Sequence, residues 1–88
     1  MFEFDPNISE ANKLKHGIDF YMARRLWNDP KRIEIPVRWV DEPRFLIIAC
    51  MDKDIWSAIY TVRNKRIRII SVREARNNEK EIYYSSRV

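Results

Sequence analysis

The hydrophobic period of this chain changes once, at Asn28-Asp29-Pro30, from about 3.6 residues to about 2, and that switch excludes all-helical and all-strand folds. Before it, Asp5-Pro6 reads as a helix cap followed by a proline at the first helical position. Ile8, Ala11, Leu14 and Ile18 then recur at helical spacing, which predicts a helix over 6–16 with one apolar face. Gly17, the sole glycine, falls just past its end, where a left-handed backbone is wanted. A second helix is predicted from an Asp19 cap to about Trp27, with Phe20, Ala23 and Trp27 on one face. Phe2-Glu3-Phe4 alternates and predicts a short opening strand.

After the switch, Ile33, Ile35, Val37 and Trp39 alternate with Glu34, Pro36 and Arg38, and Pro36 assigns this strand to a sheet edge. Residues 44–51 read as a strand apolar on both faces. Further strands are expected at about 54–62 and 66–72, joined by the short turns Asp52-Lys53 and Asn64-Lys65. Connections this short imply an antiparallel β-meander. Residues 73–84 read as a last helix. The expected architecture is α+β in the order βααββββα, a meander packed against helices in a single domain, 1–88. Two strands are apolar on both faces and only three short helices are available to cover them. Some apolar sheet surface is therefore expected to stay bare, the usual mark of a protein partner, unless the C-terminal helix closes it.

The formal charge of +4 favours a polyanionic partner, either nucleic acid or an acidic protein, without choosing between them. Cys50, the only cysteine, excludes an internal disulfide and sits in the apolar run 46–51 as a small hydrophobe. No run is long enough to span a membrane and the start is acidic rather than signal-like, so a cytoplasmic protein is expected.

Glycine-rich phosphate loops, His/Cys clusters and nucleophilic triads are absent from the pattern, and no metal or cofactor is expected. Cationic groups suit one reaction that needs neither. RNA carries its own nucleophile, the 2′-hydroxyl, and its cleavage asks for a base, an acid and cations about the phosphate. Arginine suits the last task because its planar fork meets two phosphate oxygens and stays charged. The densest candidate is Lys65-Arg66-Ile67-Arg68, where Arg66 and Arg68 share one face of a strand, followed by Arg73 and Arg76 at the expected start of the last helix. The competing reading is a strand with solvating charges. His16 ends a helix, where a cation favours the last carbonyls more readily than it does acid–base work. Arg44 opens a central strand and either joins Arg68 or pairs with Glu42. Glu79 is either a buried partner for an arginine, the preferred reading, or a general base. Tyr83 reads as core packing with its hydroxyl at the rim. Trp27, Trp39 and Trp56 can stack on bases, but core packing is preferred for all three.

In order along the chain, Phe2-Glu3-Phe4-Asp5, Asn12, Lys15-His16-Gly17, Phe20 with Ala23, Asp29, and Glu42 with Arg44 resemble the BrnT family of toxins. Arg66-Ile67-Arg68-Ile69-Ile70-Ser71-Val72-Arg73 resembles that family's C-terminal signature, and Glu79 with Tyr83 matches the glutamate and tyrosine that the family carries after it. Phe4, Ile8, Tyr21-Met22 and Ala49-Cys50 depart from the family pattern. The resemblance implies a RelE-like fold and a metal-independent ribonuclease that cleaves RNA and blocks translation. It also implies neutralisation by a BrnA-type antitoxin in a two-plus-two assembly, with operator DNA met only through the antitoxin. On this resemblance the catalytic candidates are Arg44, Arg68, Arg73, His16 and Glu79, and the RNA-binding candidates are Lys15, Arg66, Arg76 and Tyr83. The alternative is a non-catalytic, toxin-like module acting only in antitoxin-dependent, DNA-bound autoregulation.

Overall fold

A computed structural model describes residues 1–86. The chain runs β1 (Phe2–Glu3), α1 (Pro6–His16), α2 (Phe20–Ala23), a 3-10 turn (Arg24–Asn28), β2 (Ile33–Val37), β3 (Arg44–Met51), β4 (Asp54–Arg63), β5 (Arg66–Glu74) and α3 (Asn77–Ser85). The five strands lie in the order β1-β5-β4-β3-β2. β2 to β5 form the antiparallel meander, while β1 adds to the far edge of β5 in parallel, so the sheet is mixed. The two hairpin turns place Asp52 (φ 52°) with Lys53 (φ 77°), and Asn64 (φ 51°) with Lys65 (φ 64°), in the left-handed region. That pairing is what a two-residue turn needs to match the twist of the flanking strands.

α1 starts and stops where its caps dictate. Asp5 accepts from the Asn7 N–H at 2.8 Å, and the N–H of Gly17, at φ 79°, bonds back to Lys13. Its buried face is not the expected one. Ala11 and Ile8 face solvent, Leu14 is 83% exposed, and Ser9 and Asn12 are buried instead. Ser9 and Asn12 share helical spacing as well as the apolar set does, and they have bonds to make. Ser9 Oγ accepts from the Phe20 N–H at 2.8 Å, and Asn12 spans from the Ile18 carbonyl to both backbone groups of Val72. Buried polar atoms that find all their partners can seat a helix that lacks an apolar stripe. The second helix keeps α-form only to Ala23, and its tighter continuation buries Leu26 beside Phe20 and Ala23.

β5 continues through Arg73 and Glu74, which pair with Ser57 and Trp56 of β4, so the last helix starts four residues later than expected, at Asn77. A bulge makes Ile70 the extra residue opposite Ile59 and Tyr60. It keeps both Ile69 and Val72 on the α1/α2 side, where they join Phe20, Leu26, Ile47, Ala49, Ala58 and Tyr60 in the main core. On the other side α3 covers Ile48, Ile55 and Ala75 with Tyr83. At nine residues α3 is roughly 13 Å long, whereas β4, at ten, spans roughly 33 Å. One half of that sheet face therefore has no helix over it.

Candidate active site

The uncovered half carries arginine in two adjacent rows. The pairing of Phe45 with Tyr60 brings Arg44 beside Thr61, and Thr61 pairs with Arg68, which pairs in turn with Glu3. Arg63 and Arg66 pair in the next row. Alternation turns these side chains to the face that α3 leaves bare, together with Leu46 and Ile59. Strands about 4.8 Å apart set the Arg44 and Arg68 backbones roughly 10 Å apart across β4.

Carboxylates hold three of the four cations. Arg68 meets Glu3 at 3.1 Å, and Glu42 takes Arg44 at 3.1 Å on one oxygen and Arg63 at 2.8 Å on the other. Arg63, and after it Arg44, holds the Glu42 carboxyl below its ordinary range. Thr61 donates to the Pro43 carbonyl at 2.6 Å and fixes the turn that presents Glu42. The Arg44 guanidinium also lies 3.9 Å from the centre of the Trp39 ring. Arg66 has no carboxylate partner among the described residues. Four cations against two carboxylates leave the face positive, and guanidinium forks on a half-buried surface bind phosphate oxygens well.

Arg73 stands apart from this group. Five residues along β5, or roughly 16 Å, separate it from Arg68. Its two terminal nitrogens reach the two Glu79 oxygens at 2.7 and 2.8 Å. Glu79 also accepts from Ser57 Oγ at 2.9 Å and from the Arg76 N–H at 2.8 Å, and only 8% of its side chain is exposed. Arg73 above all holds its carboxyl down to about 2. A carboxylate so well satisfied is a weak base, and the pair fastens α3 to the sheet. Arg76 caps α3, exposed, at the same end.

Tyr83 is 3% exposed, lies on the buried face of α3, and donates to Asp29 at 2.6 Å, an oxygen that also accepts the Cys50 N–H. It does not line the arginine rows. Lys15 and His16 end α1, which packs on the opposite side of the sheet, so they share no surface with Arg68. The structure thus brings together Arg44, Arg66 and Arg68 of the expected residues and leaves the others elsewhere. A cleft of about 470 Å³ lined by Arg25, Asp29, Asp52 and Tyr84 lies at the far end of β3 and includes none of the arginine rows. No group of three or more His, Cys, Asp or Glu side chains suited to a metal stands among the described residues.

Pattern reading missed Glu3, Trp39, Glu42 and Arg63 as members of one group. The Glu42–Arg44 pair, two residues apart, is the one link that the sequence offered; only the cross-strand register joins Glu3 and Arg63 to the group.

A mixed sheet with helices on both faces, half of one face free of helix and rimmed by arginine, belongs to the α+β class. The family model for BrnT, the ribonuclease toxin of type II toxin–antitoxin systems, matches residues 4–79, and the chain belongs to that family. Membership implies a ribonuclease and an antitoxin partner. No curated protein matches the chain. No helix among the described residues is long and apolar enough to cross a membrane.

Proposed function

We propose that the chain, acting as one toxin domain over 1–88 with a RelE-like fold, is a metal-independent endoribonuclease that cuts RNA and so inhibits translation in the cytoplasm. The observation that carries the reading is the double row of arginines on the bare half of the sheet. Arg68 and Arg66 hold the scissile phosphate, and Arg44 and Arg63 hold its neighbour. Arginine stabilises the charge that grows on the phosphate as the 2′-oxygen attacks, which is the part a metal ion would otherwise play. Glu79 is spent on Arg73 and His16 lies on the helical layer. Glu3 is then the carboxylate next to the phosphate site and accepts the 2′-hydroxyl proton as the 2′-oxygen bonds to phosphorus; the P–O5′ bond breaks, leaving a 2′,3′-cyclic phosphate, and the departing 5′-oxygen takes a proton from water, while Arg73 positions α3. On binding, the phosphate displaces Glu3 from part of the Arg68 fork.

A BrnA-type antitoxin neutralises the toxin by covering this face in a two-plus-two assembly, and operator DNA is met only through the antitoxin. The half-buried apolar residues Leu46, Ile59 and Ile70 support a protein cover there, since they adjoin the cations that the cover would mask.

The test is cleavage of a structured RNA in excess EDTA by the purified protein, beside Arg68→Ala prepared identically. Cutting that survives EDTA and is lost in the variant is the expected result. Equal cutting by both proteins places the chemistry elsewhere. Cutting by neither, on naked RNA and on translating ribosomes alike, favours the non-catalytic module.

A further inference from the structure

Of the three tryptophans, Trp27 and Trp56 pack against the main core, whereas Trp39 is 52% exposed. β2 ends at Val37, so Trp39 leaves the sheet just where Val37 pairs with Arg44. The ring enters no aromatic pair among the described residues. One of its faces is backed by the Arg44 guanidinium at 3.9 Å. That cation is itself fixed from Glu42, whose other oxygen holds Arg63. Side chains of Arg44 and Glu42 are only 21% and 19% exposed, so the support behind the ring is rigid. An exposed indole clamped on one face by an ordered cation loses little entropy when something flat meets the other face.

The surroundings of that open face set what can occupy it. The positive rows start beside it, and the Arg68 backbone lies roughly 10 Å from that of Arg44 across β4. A planar ring carrying a phosphate on each side suits both features, and every nucleobase presents a π-face without regard to sequence. A paired base in a duplex has its faces covered by its neighbours.

We infer that Trp39 is the base-stacking platform of the site, and that the substrate class is RNA unpaired at the base beside the phosphate on Arg68. This rests on the ribonuclease reading above and deepens it. Trp39 touches no reacting atom. It sets which strands bind and where the phosphate lies.

The experiment measures binding by anisotropy of a labelled, uncleavable 2′-O-methyl RNA, single-stranded, annealed to its complement, or carrying consecutive abasic sites. Wild type, Trp39→Ala, Trp39→Phe and Arg68→Ala are compared. The wild type is expected to prefer the single strand to both other ligands. Trp39→Ala is expected to lose about ten-fold or more on the single strand and nothing on the abasic one, with Trp39→Phe recovering most of the loss. Should Trp39→Ala bind every ligand as wild type does while Arg68→Ala fails, the stacking role is wrong and the ribonuclease reading stands. The stacking role is equally wrong if the variant weakens only antitoxin binding, or loses as much on the abasic strand, which makes Trp39 a mere support for Arg44. If the wild type binds no RNA at all, the stacking role falls, and cutting of messenger on translating ribosomes decides the ribonuclease reading separately. Preference of the wild type for bases over abasic sites is read without any variant, so a misfolded Trp39→Ala leaves the proposal open to refutation.

Discussion

Asn12 on α1 and Val72 on β5 pair as two strands would, across 60 residues of chain: the side-chain amide donates to the Val72 carbonyl at 2.9 Å and accepts its N–H at 3.1 Å. The same amide donates to the Ile18 carbonyl at 2.8 Å. A side chain thus occupies the β5 edge beyond the short reach of β1, and fixes α1 over the sheet. Asn12→Ala should cost about 2–4 kcal/mol, because it strands the buried backbone groups of Ile18 and Val72 that the amide satisfies. Asn12→Asp should also destabilise, since it cannot donate to either carbonyl. Urea midpoints at neutral pH check both.

Glu79 gives the acid limb of stability. Its folded carboxyl is held at about 2 against an ordinary 4.5, chiefly by Arg73. A depressed carboxylate contributes fully above its unfolded value and loses that contribution as pH falls through the folded one. Stability should therefore decline between about pH 4.5 and 2. Glu79→Gln should flatten that decline and cost about 1–3 kcal/mol at pH 7, with denaturation midpoints across pH as the readout.

Arg68 and Glu3 should separate function from folding. Their pair is partly exposed, so losing either side chain should change stability by no more than about 1 kcal/mol. Arg68→Ala should lower kcat/KM for RNA by about 100-fold or more. Glu3→Gln should bind RNA more tightly, having lost a competitor for the Arg68 fork, yet cut it more slowly. Slower cutting with unchanged binding would mean that Glu3 does not occupy the phosphate position.

Salt should report how many cations the RNA meets. With three or four phosphates neutralised, log K against log salt for a single strand should slope at about −2 to −3, and Arg66→Ala should reduce that slope by about 0.7.

The hairpin turns carry a removable cost. Lys53 and Lys65 hold left-handed backbones at φ 77° and 64°. Lys53→Gly and Lys65→Gly should each raise stability by about 0.5–1 kcal/mol, because glycine has no side chain to strain there. Thermal melts of the single and double variants would show additive gains.

The helix caps, the strands and the α+β class were legible because each depends on residues close in sequence. Asp5-Pro6, Gly17 and the alternation from Ile33 act locally. The buried face of α1 was not legible, since an amphipathic count scores Ile8, Ala11 and Leu14 but ignores that Ser9 and Asn12 have bonds waiting on distant elements. β5 outran its expected end for a similar reason: Arg73 and Glu74 are strand only because β4 offers them Ser57 and Trp56. Of the site, the arginines of β5 and Arg44 were visible as charges on strands. Their grouping with Glu3, Glu42 and Arg63, and the exclusion of His16, Glu79 and Tyr83 from that group, follow from strand order, register and the side of the sheet each helix takes.

The parallel contact of β1 with β5 has a consequence in time. Phe2 pairs with Ile67 and Glu3 with Arg68, so β1 cannot pair until β5 has formed. The meander between them closes through neighbouring hairpins of low contact order, which form quickly, whereas β1 must close the longest loop in the sheet. Glu3 therefore reaches Arg68 last, and the carboxylate beside the arginine rows arrives only after the sheet that carries them has formed.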